Sequence, residues 1–160
     1  MSDGSTALYG MCYAGPGTSN SLGGLTGRND STDDVVVFDS VAAGTGQEVE
    51  VREAYVVLFG VVADQAEVFG SGFVLPPDRD YPDGAAQVDE HQMELWEQRI
   101  PLEGAELGPG ESFNLIVGVA PTVGDRGSSD GLEIRYHVGS QQYSSYPGIG
   151  ADFLSPDECK

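Results

Sequence analysis

The chain has 160 residues, of which 39% are hydrophobic, and this length and composition suit one domain with a single core. It carries 26 acidic residues against 7 lysines and arginines, so its formal net charge is -19 at pH 7. A surface this acidic repels nucleic-acid phosphates and anionic lipid headgroups, which excludes nucleic-acid binding and membrane-surface attachment as expected roles.

The first 34 residues are dominated by small and polar residues, as in AGPGTSNSLGGLTGRNDSTDD. Glycine, serine, threonine, asparagine and aspartate favour turns over helices and strands. We therefore predict an irregular N-terminal arm over residues 1–34 and one folded domain over residues 35–160. The chain has no basic, apolar leader and no run of about 18 apolar residues, so we expect no insertion of this chain into a membrane.

From Val35 onward the hydrophobic pattern repeats every two residues, which is the period of a β-strand. The run VVVFDSV predicts a strand over Val35–Val41. In EVEVREAYVVLFGVV the pattern assigns one face to Val49, Val51, Tyr55, Val57, Phe59 and Val61. Val56 and Leu58 make the opposite face apolar too, so we expect this strand to lie in the centre of a sheet.

Two later segments alternate more regularly. In SFNLIVGVA, large apolar residues such as Leu115 and Val117 share one face and Asn114 lies on the other, which predicts a half-buried strand.

The segment GLEIRYHVGSQQYSSY predicts a β-hairpin with Gly139-Ser140 as a two-residue type II′ turn. Counting outward from that turn places Tyr136 opposite Tyr143. It also places His137 opposite Gln142, with the histidine facing water.

Six to eight such strands are separated by glycine, proline and aspartate clusters. This pattern predicts an all-β fold, an antiparallel immunoglobulin-like β-sandwich of about seven strands, with a closed barrel as the alternative.

One segment, DEHQMELWEQR, has helical character instead. It is rich in helix-forming residues, and Asp89 followed by Gln92 matches a capping box. The apolar stripe of such a helix contains Met93, Trp96 and Ile100. We predict a short helix near residues 89–99 that covers the core.

His91 and Met93 in this segment support an alternative function, because imidazole and thioether groups both suit Cu(I). The pair resembles the His-x-Met motif of periplasmic copper chaperones with a cupredoxin-like sandwich, although their second methionine and second histidine have no counterpart here. The two side chains share a face on a strand but point about 200° apart on a helix. The copper hypothesis therefore depends on the backbone conformation of this segment.

The loop DRDYPDG offers a calcium hypothesis, since it groups the carboxylates of Asp78, Asp80 and Asp83. Pro82 and the lack of a following glutamate depart from the usual calcium-loop pattern. The alternative function is thus a metal-handling β-sandwich, either a copper carrier through His91 and Met93 or a calcium-stabilised sandwich, and we expect no resident cofactor other than calcium.

The two cysteines, Cys12 and Cys159, lie near opposite ends of the chain without a CxxC motif. A disulfide between them would tie the C-terminal tail to the arm and stabilise the fold by roughly 5 kcal/mol on the chain-entropy model. Such a bond persists in an oxidising compartment, so it predicts an extracellular or cell-surface location. Two unrelated buried thiols are the alternative.

No motif argues for an enzyme. GSSDG matches G-x-S-x-G, but a nucleophile elbow needs a strand before the serine and a helix after it, and here a strand follows. We therefore predict that Ser129 is a turn residue.

Three segments, VVVFDSV, WEQRIPLEGAELGPGESFNLIVGV and GLEIRYHVGSQQY, together resemble short exported proteins of actinobacteria. In that family a membrane-anchored N-terminus precedes an immunoglobulin-like sandwich that ends in a tyrosine-bearing hairpin. The matching residues are Trp96, Pro101, Pro109, Gly110, Tyr136, Gly139 and Tyr143. The resemblance implies a fold and a compartment, and it implies no activity.

These observations favour a non-catalytic, secreted or cell-surface module that acts by protein–protein contacts, with a protein partner or by self-assembly. Its predicted contact surface is the stretch QQYSSYPG, because tyrosine gives a large contact area at low entropic cost. The residues of this surface are Gln141, Gln142, Tyr143 and Tyr146.

Overall fold

The fold is described from a computed structural model that covers residues 7–13, 15, 17–43, 48–60, 67–77 and 88–154, with the backbone alone for residues 7–9. The strands of this part of the chain are β1 (Ala7–Cys12), β2 (Ser19–Leu22), β3 (Thr26–Arg28), β4 (Val36–Ala43), β5 (Val49–Gly60), β6 (Val74–Leu75), β7 (Ile100–Pro101), β8 (Glu106–Leu107), β9 (Ser112–Pro121), β10 (Gly127–Ser129), β11 (Leu132–Val138), β12 (Gln141–Ser145) and β13 (Ile149–Leu154). The helix α1 spans Glu90–Glu97.

These strands form three sheets. The largest has the order β6-β2-β9-β5-β7, with β3 also paired to β9; a second has the order β12-β11-β4-β8 and a third β1-β13-β10. Every pairing is antiparallel except that of β1 with β13. The predicted all-β, sandwich-like fold is confirmed. The predicted count of about seven matches the strands of five residues or more, and the other described strands are shorter.

A main hydrophobic core lies between the large sheet and the two smaller ones. Val117 and Leu115 enter it from the large sheet, Phe38 and Leu132 from the four-stranded sheet, and Phe153 from the three-stranded sheet. All three sheets are therefore held by burial of one shared apolar interior, which is the arrangement that stabilises a β-sandwich.

The strands β5 and β9 are buried on both faces, because a second core covers the outer side of the large sheet. The central position predicted for β5 is confirmed. The half-buried environment predicted for β9 is wrong: Ile116 belongs to the second core, and Asn114 beside it is only 1% exposed.

The prediction that alternate residues of β5 share one face fails at a β-bulge. The register of β5 against β9 shifts between Val51 and Glu53. Val51 therefore packs against the main core, whereas Tyr55 and Val57 belong to the second core. An extra residue at a bulge inverts the alternation of every side chain that follows it.

The helix α1 covers the second core, as the sequence predicts. The Asp89 side chain accepts a hydrogen bond from the Gln92 backbone N–H at 2.7 Å, and the Gln92 side chain accepts one from the Asp89 N–H at 3.0 Å. Trp96 is buried against Tyr55, with the ring centroids 5.3 Å apart. Ile100 is wrongly assigned to the helical stripe, since it lies in β7 and is 37% exposed.

The predicted irregular arm over residues 1–34 contains three strands instead. All four residues of β2, SNSL, are buried beside β9. Burial of these polar side chains is tolerated where hydrogen-bond partners are close. The Ser21 hydroxyl donates to the Gly70 carbonyl at 2.6 Å and accepts from the Phe73 N–H at 3.0 Å. The arm is therefore part of the sandwich, and β13 pairs with β1 along its whole length.

No helix in the described ranges has the length and apolar character needed to cross a membrane.

Candidate functional site

The strand β12 is an exposed edge of the four-stranded sheet. Its five residues, Gln141–Ser145, are all exposed, and only β11 pairs with it among the described strands. The hairpin is the one predicted, with Tyr136 opposite Tyr143 and His137 opposite Gln142. Gly139 has a φ of 60° and Ser140 has a negative φ, as a type II′ turn requires.

The other edges of the two larger sheets are protected. β6, β7 and β8 have two residues each; Pro76 follows β6, β7 contains Pro101, and β8 contains Glu106. β3, which lies at the edge beside β9, has three residues and ends with the charged Arg28. Short length, proline and charge are devices that prevent an edge from pairing with another chain. β12 carries none of them, so it presents unpaired backbone N–H and C=O groups to solvent.

Two tyrosines dominate this edge. Tyr143 is 46% exposed and Tyr146 is 70% exposed. The Tyr143 ring stacks on Tyr136, with centroids 5.4 Å apart and planes 17° apart, while Tyr136 packs against the main core. One face of the Tyr143 ring is thus fixed against Tyr136, and the opposite face stays available for contact.

The outer face of the same sheet is polar. His137 faces outward as predicted but has a partner there, since its Nδ1 lies 2.8 Å from Asp39 Oδ1. Arg135 forms an ion pair with Glu133, and this hydrogen bond raises the pKa of Arg135 above its ordinary value. The carboxylates of Asp39 and Glu133 therefore lie on this face together with the Arg135 cation.

A cleft of about 330 Å³ opens between the four-stranded sheet and the large sheet. Phe38 and Phe113 meet edge to face in its wall, with ring centroids 5.4 Å apart. Tyr136 and Ser145 line it on the side of β12, so the cleft adjoins the tyrosine-bearing edge. Its volume lies near the lower end of the range of ligand-binding pockets.

The rim of the cleft is formed by the segment that follows β3. Asn29 is 6% exposed, and its Nδ2 donates to the carbonyls of Asp34 at 2.8 Å and Leu107 at 3.1 Å. Arg28 and Asp30 form an ion pair at 3.1 Å, and the Asp30 side chain is 83% exposed. This rim is therefore fixed to the sheet by Asn29 and presents carboxylates to solvent.

The residues of the copper hypothesis lie in α1. His91 is exposed and Met93 packs against the second core. Two positions apart on a helix, they point to different sides, so the shared face that the copper hypothesis requires does not form. No group of three or more histidine, cysteine or acidic residues able to hold a metal occurs within the part of the chain that the structure describes.

Three other predictions concern the acidic loop, the two cysteines and Ser129. Asp78, Asp80 and Asp83 lie outside the described residues, and the calcium hypothesis stays a prediction. Cys159 also lies outside them, so its bond to Cys12 stays a prediction. Ser129 is not a turn residue: it ends β10, is 3% exposed, and donates a hydrogen bond to the Gly131 carbonyl at 3.0 Å.

The cleft and the unprotected edge are the features that the sequence does not reveal. The order of strands in a sheet decides which strand forms an edge, and the cleft needs residues from β3, β4, β9 and β11. The signal available in the sequence was the neutral, tyrosine-containing run QQYSSY.

Comparisons with protein-family models, curated proteins and solved structures gave no match to this chain.

Proposed function

We propose that the chain is a secreted or cell-surface binding module that acts through protein–protein contacts, with β12, Tyr143 and Tyr146 as its contact surface. The observation that carries the proposal is a neutral edge strand of five exposed residues, one of them Tyr143, with the exposed Tyr146 directly after it. An edge of this kind binds an extended segment of a partner through backbone hydrogen bonds, and the alternate side chains give specificity.

The tyrosines suit this role because they supply contact area without a large loss of conformational entropy. Stacking on Tyr136 restricts Tyr143 before any partner binds, which lowers the entropy cost of binding further. A different protein is a better partner than a second copy, since two chains that each carry a net charge of -19 repel each other.

Site-specific photocrosslinking tests this proposal in cells that express the chain natively. Benzophenone side chains would replace Tyr143 or Tyr146, and Val123 would carry the control, because it is 82% exposed in the turn between β9 and β10. We expect a crosslinked partner from both tyrosine positions and none from Val123. Equal crosslinking from all three positions, or none from the tyrosines, would overturn the proposal.

A further inference from the structure

We infer that the cleft beside β12 receives an apolar side chain from an extended, cationic segment of the partner. This inference rests on the proposed function and names the chemistry of the partner. In the register of the hairpin, Tyr143 and Ser145 share the inner face of the sheet with Tyr136 and Ile134. A partner strand that pairs with β12 would place every second side chain on that same face, towards the cleft.

The walls of the cleft explain why this side chain is apolar. Phe38, Phe113 and Ile134 all line it, and each also belongs to the main core or packs against it. An aromatic or branched aliphatic group placed there would continue the existing interior and remove apolar surface from water. Anchors buried in such pockets carry a large share of the binding energy of protein interfaces.

The charge of the rim explains why the partner segment is cationic. Asp30, Asp33 and Asp34 are exposed in the segment that follows β3, and Asn29 joins this segment to the cleft. Arg28 supplies one positive charge, already paired with Asp30. Carboxylates outnumber cations at the rim and in the whole chain, so lysine or arginine next to the apolar anchor is electrostatically favoured.

Synthetic peptides test the inference by calorimetric titration of the intact chain. The probe is a short, blocked, threonine-rich peptide with a central lysine-phenylalanine-lysine sequence. One comparison peptide has alanine in place of phenylalanine, and the other has glutamate in place of both lysines. We expect the first peptide to bind and each replacement to weaken binding about tenfold or more, which corresponds to about 1.4 kcal/mol. No binding of the first peptide at millimolar concentration would overturn the inference, as would equal binding of all three.

A matched pair of variants locates the binding site. Ser145→Trp adds an indole on the cleft side of β12, and Ser144→Trp adds the same group to the opposite face of the same exposed strand. We expect Ser145→Trp to abolish peptide binding and Ser144→Trp to retain it. Equal effects of the two variants would overturn the inference.

Amide chemical shifts of the wild-type chain give a second measurement that needs no variant. The peptide should shift the signals of the cleft residues Thr26, Phe113 and Ile134 and leave those of α1 unchanged. Shifts confined to other surfaces would contradict the inference. Crosslinking from Tyr143 and Tyr146 would still support the proposed function if the peptides failed to bind. Absence of crosslinking from both tyrosine positions would refute the proposed function itself.

Discussion

Replacing Asn114 by alanine should destabilise the fold more than its single, small side chain suggests. Asn114 lies on β9 between the two cores and is 1% exposed. Its Oδ1 accepts a hydrogen bond from the Val68 N–H at 2.7 Å, and its Nδ2 donates to the Leu25 carbonyl at 3.2 Å. One side chain thus connects three segments that are distant in the sequence.

The expected magnitude follows from the one backbone group that the substitution leaves without a hydrogen-bond partner. The Leu25 carbonyl keeps a hydrogen bond from the Leu115 N–H at 2.8 Å, so only the Val68 N–H is orphaned. An orphaned buried donor costs about 1–3 kcal/mol, which is the expected decrease in the free energy of unfolding. For a chain of this size each kcal/mol lowers the melting temperature by about 2–4 °C. Asn114→Ala should therefore melt at least about 2 °C below the wild type.

Urea denaturation followed by the fluorescence of Trp96 measures this effect, with Asn20→Ala as the control. Asn20 is also buried, at 2% exposed, but it donates one hydrogen bond, to the Cys12 carbonyl at 3.3 Å, and its Oδ1 has no partner among the described residues. Asn20→Ala should cost clearly less than Asn114→Ala. A loss below about 1 kcal/mol for Asn114→Ala, or an equal loss for both variants, would refute the reasoning.

Three further predictions address other parts of the fold. Asp89→Ala should lower the free energy of unfolding by about 0.5–2 kcal/mol in urea denaturation, because it removes the N-cap of α1; an unchanged midpoint would contradict the capping role. Gly118→Ala should cost about 1–3 kcal/mol, since the added Cβ would collide with the side chains of Ser19 and Glu53, whereas Gly131→Ala, with 3.6 Å to the nearest atom, should unfold close to the wild type. Cys12 pairs with Leu154 in the β1–β13 register and Cys159 follows Leu154 by five positions, so both thiols should react with iodoacetamide only after reduction; reaction before reduction would rule out the disulfide.

Two features predicted correctly from the sequence, the hairpin and the helix, are determined by local interactions. The hairpin register follows from the two-residue turn at Gly139-Ser140, and the position of α1 follows from the capping box of Asp89 and Gln92. In both cases the residues that fix the conformation are at most a few positions apart, so their pattern is visible in the sequence.

The predictions that failed depend on contacts between distant residues. The strand β2 has the composition of a loop, and it is stable in the sheet because Ser21 finds partners about fifty positions away, at Gly70 and Phe73. Asn114 has the polarity of a surface residue, yet Val68 and Leu25 satisfy it in the interior. The candidate site has the same origin, since pairing between distant strands both leaves β12 at an edge and assembles the cleft.

The affinity of the crosslinked partner for the variant Tyr143→Ala/Tyr146→Ala tests the central claim most directly. We predict that the dissociation constant rises tenfold or more, as expected for loss of about 1.4 kcal/mol or more of binding free energy. The melting temperature should fall by no more than a few degrees, because Tyr146 is 70% exposed and the stacking of Tyr143 on Tyr136 contributes about 0.5–1.5 kcal/mol. An unchanged dissociation constant would contradict the account, and so would a loss of binding that is matched by unfolding of the chain.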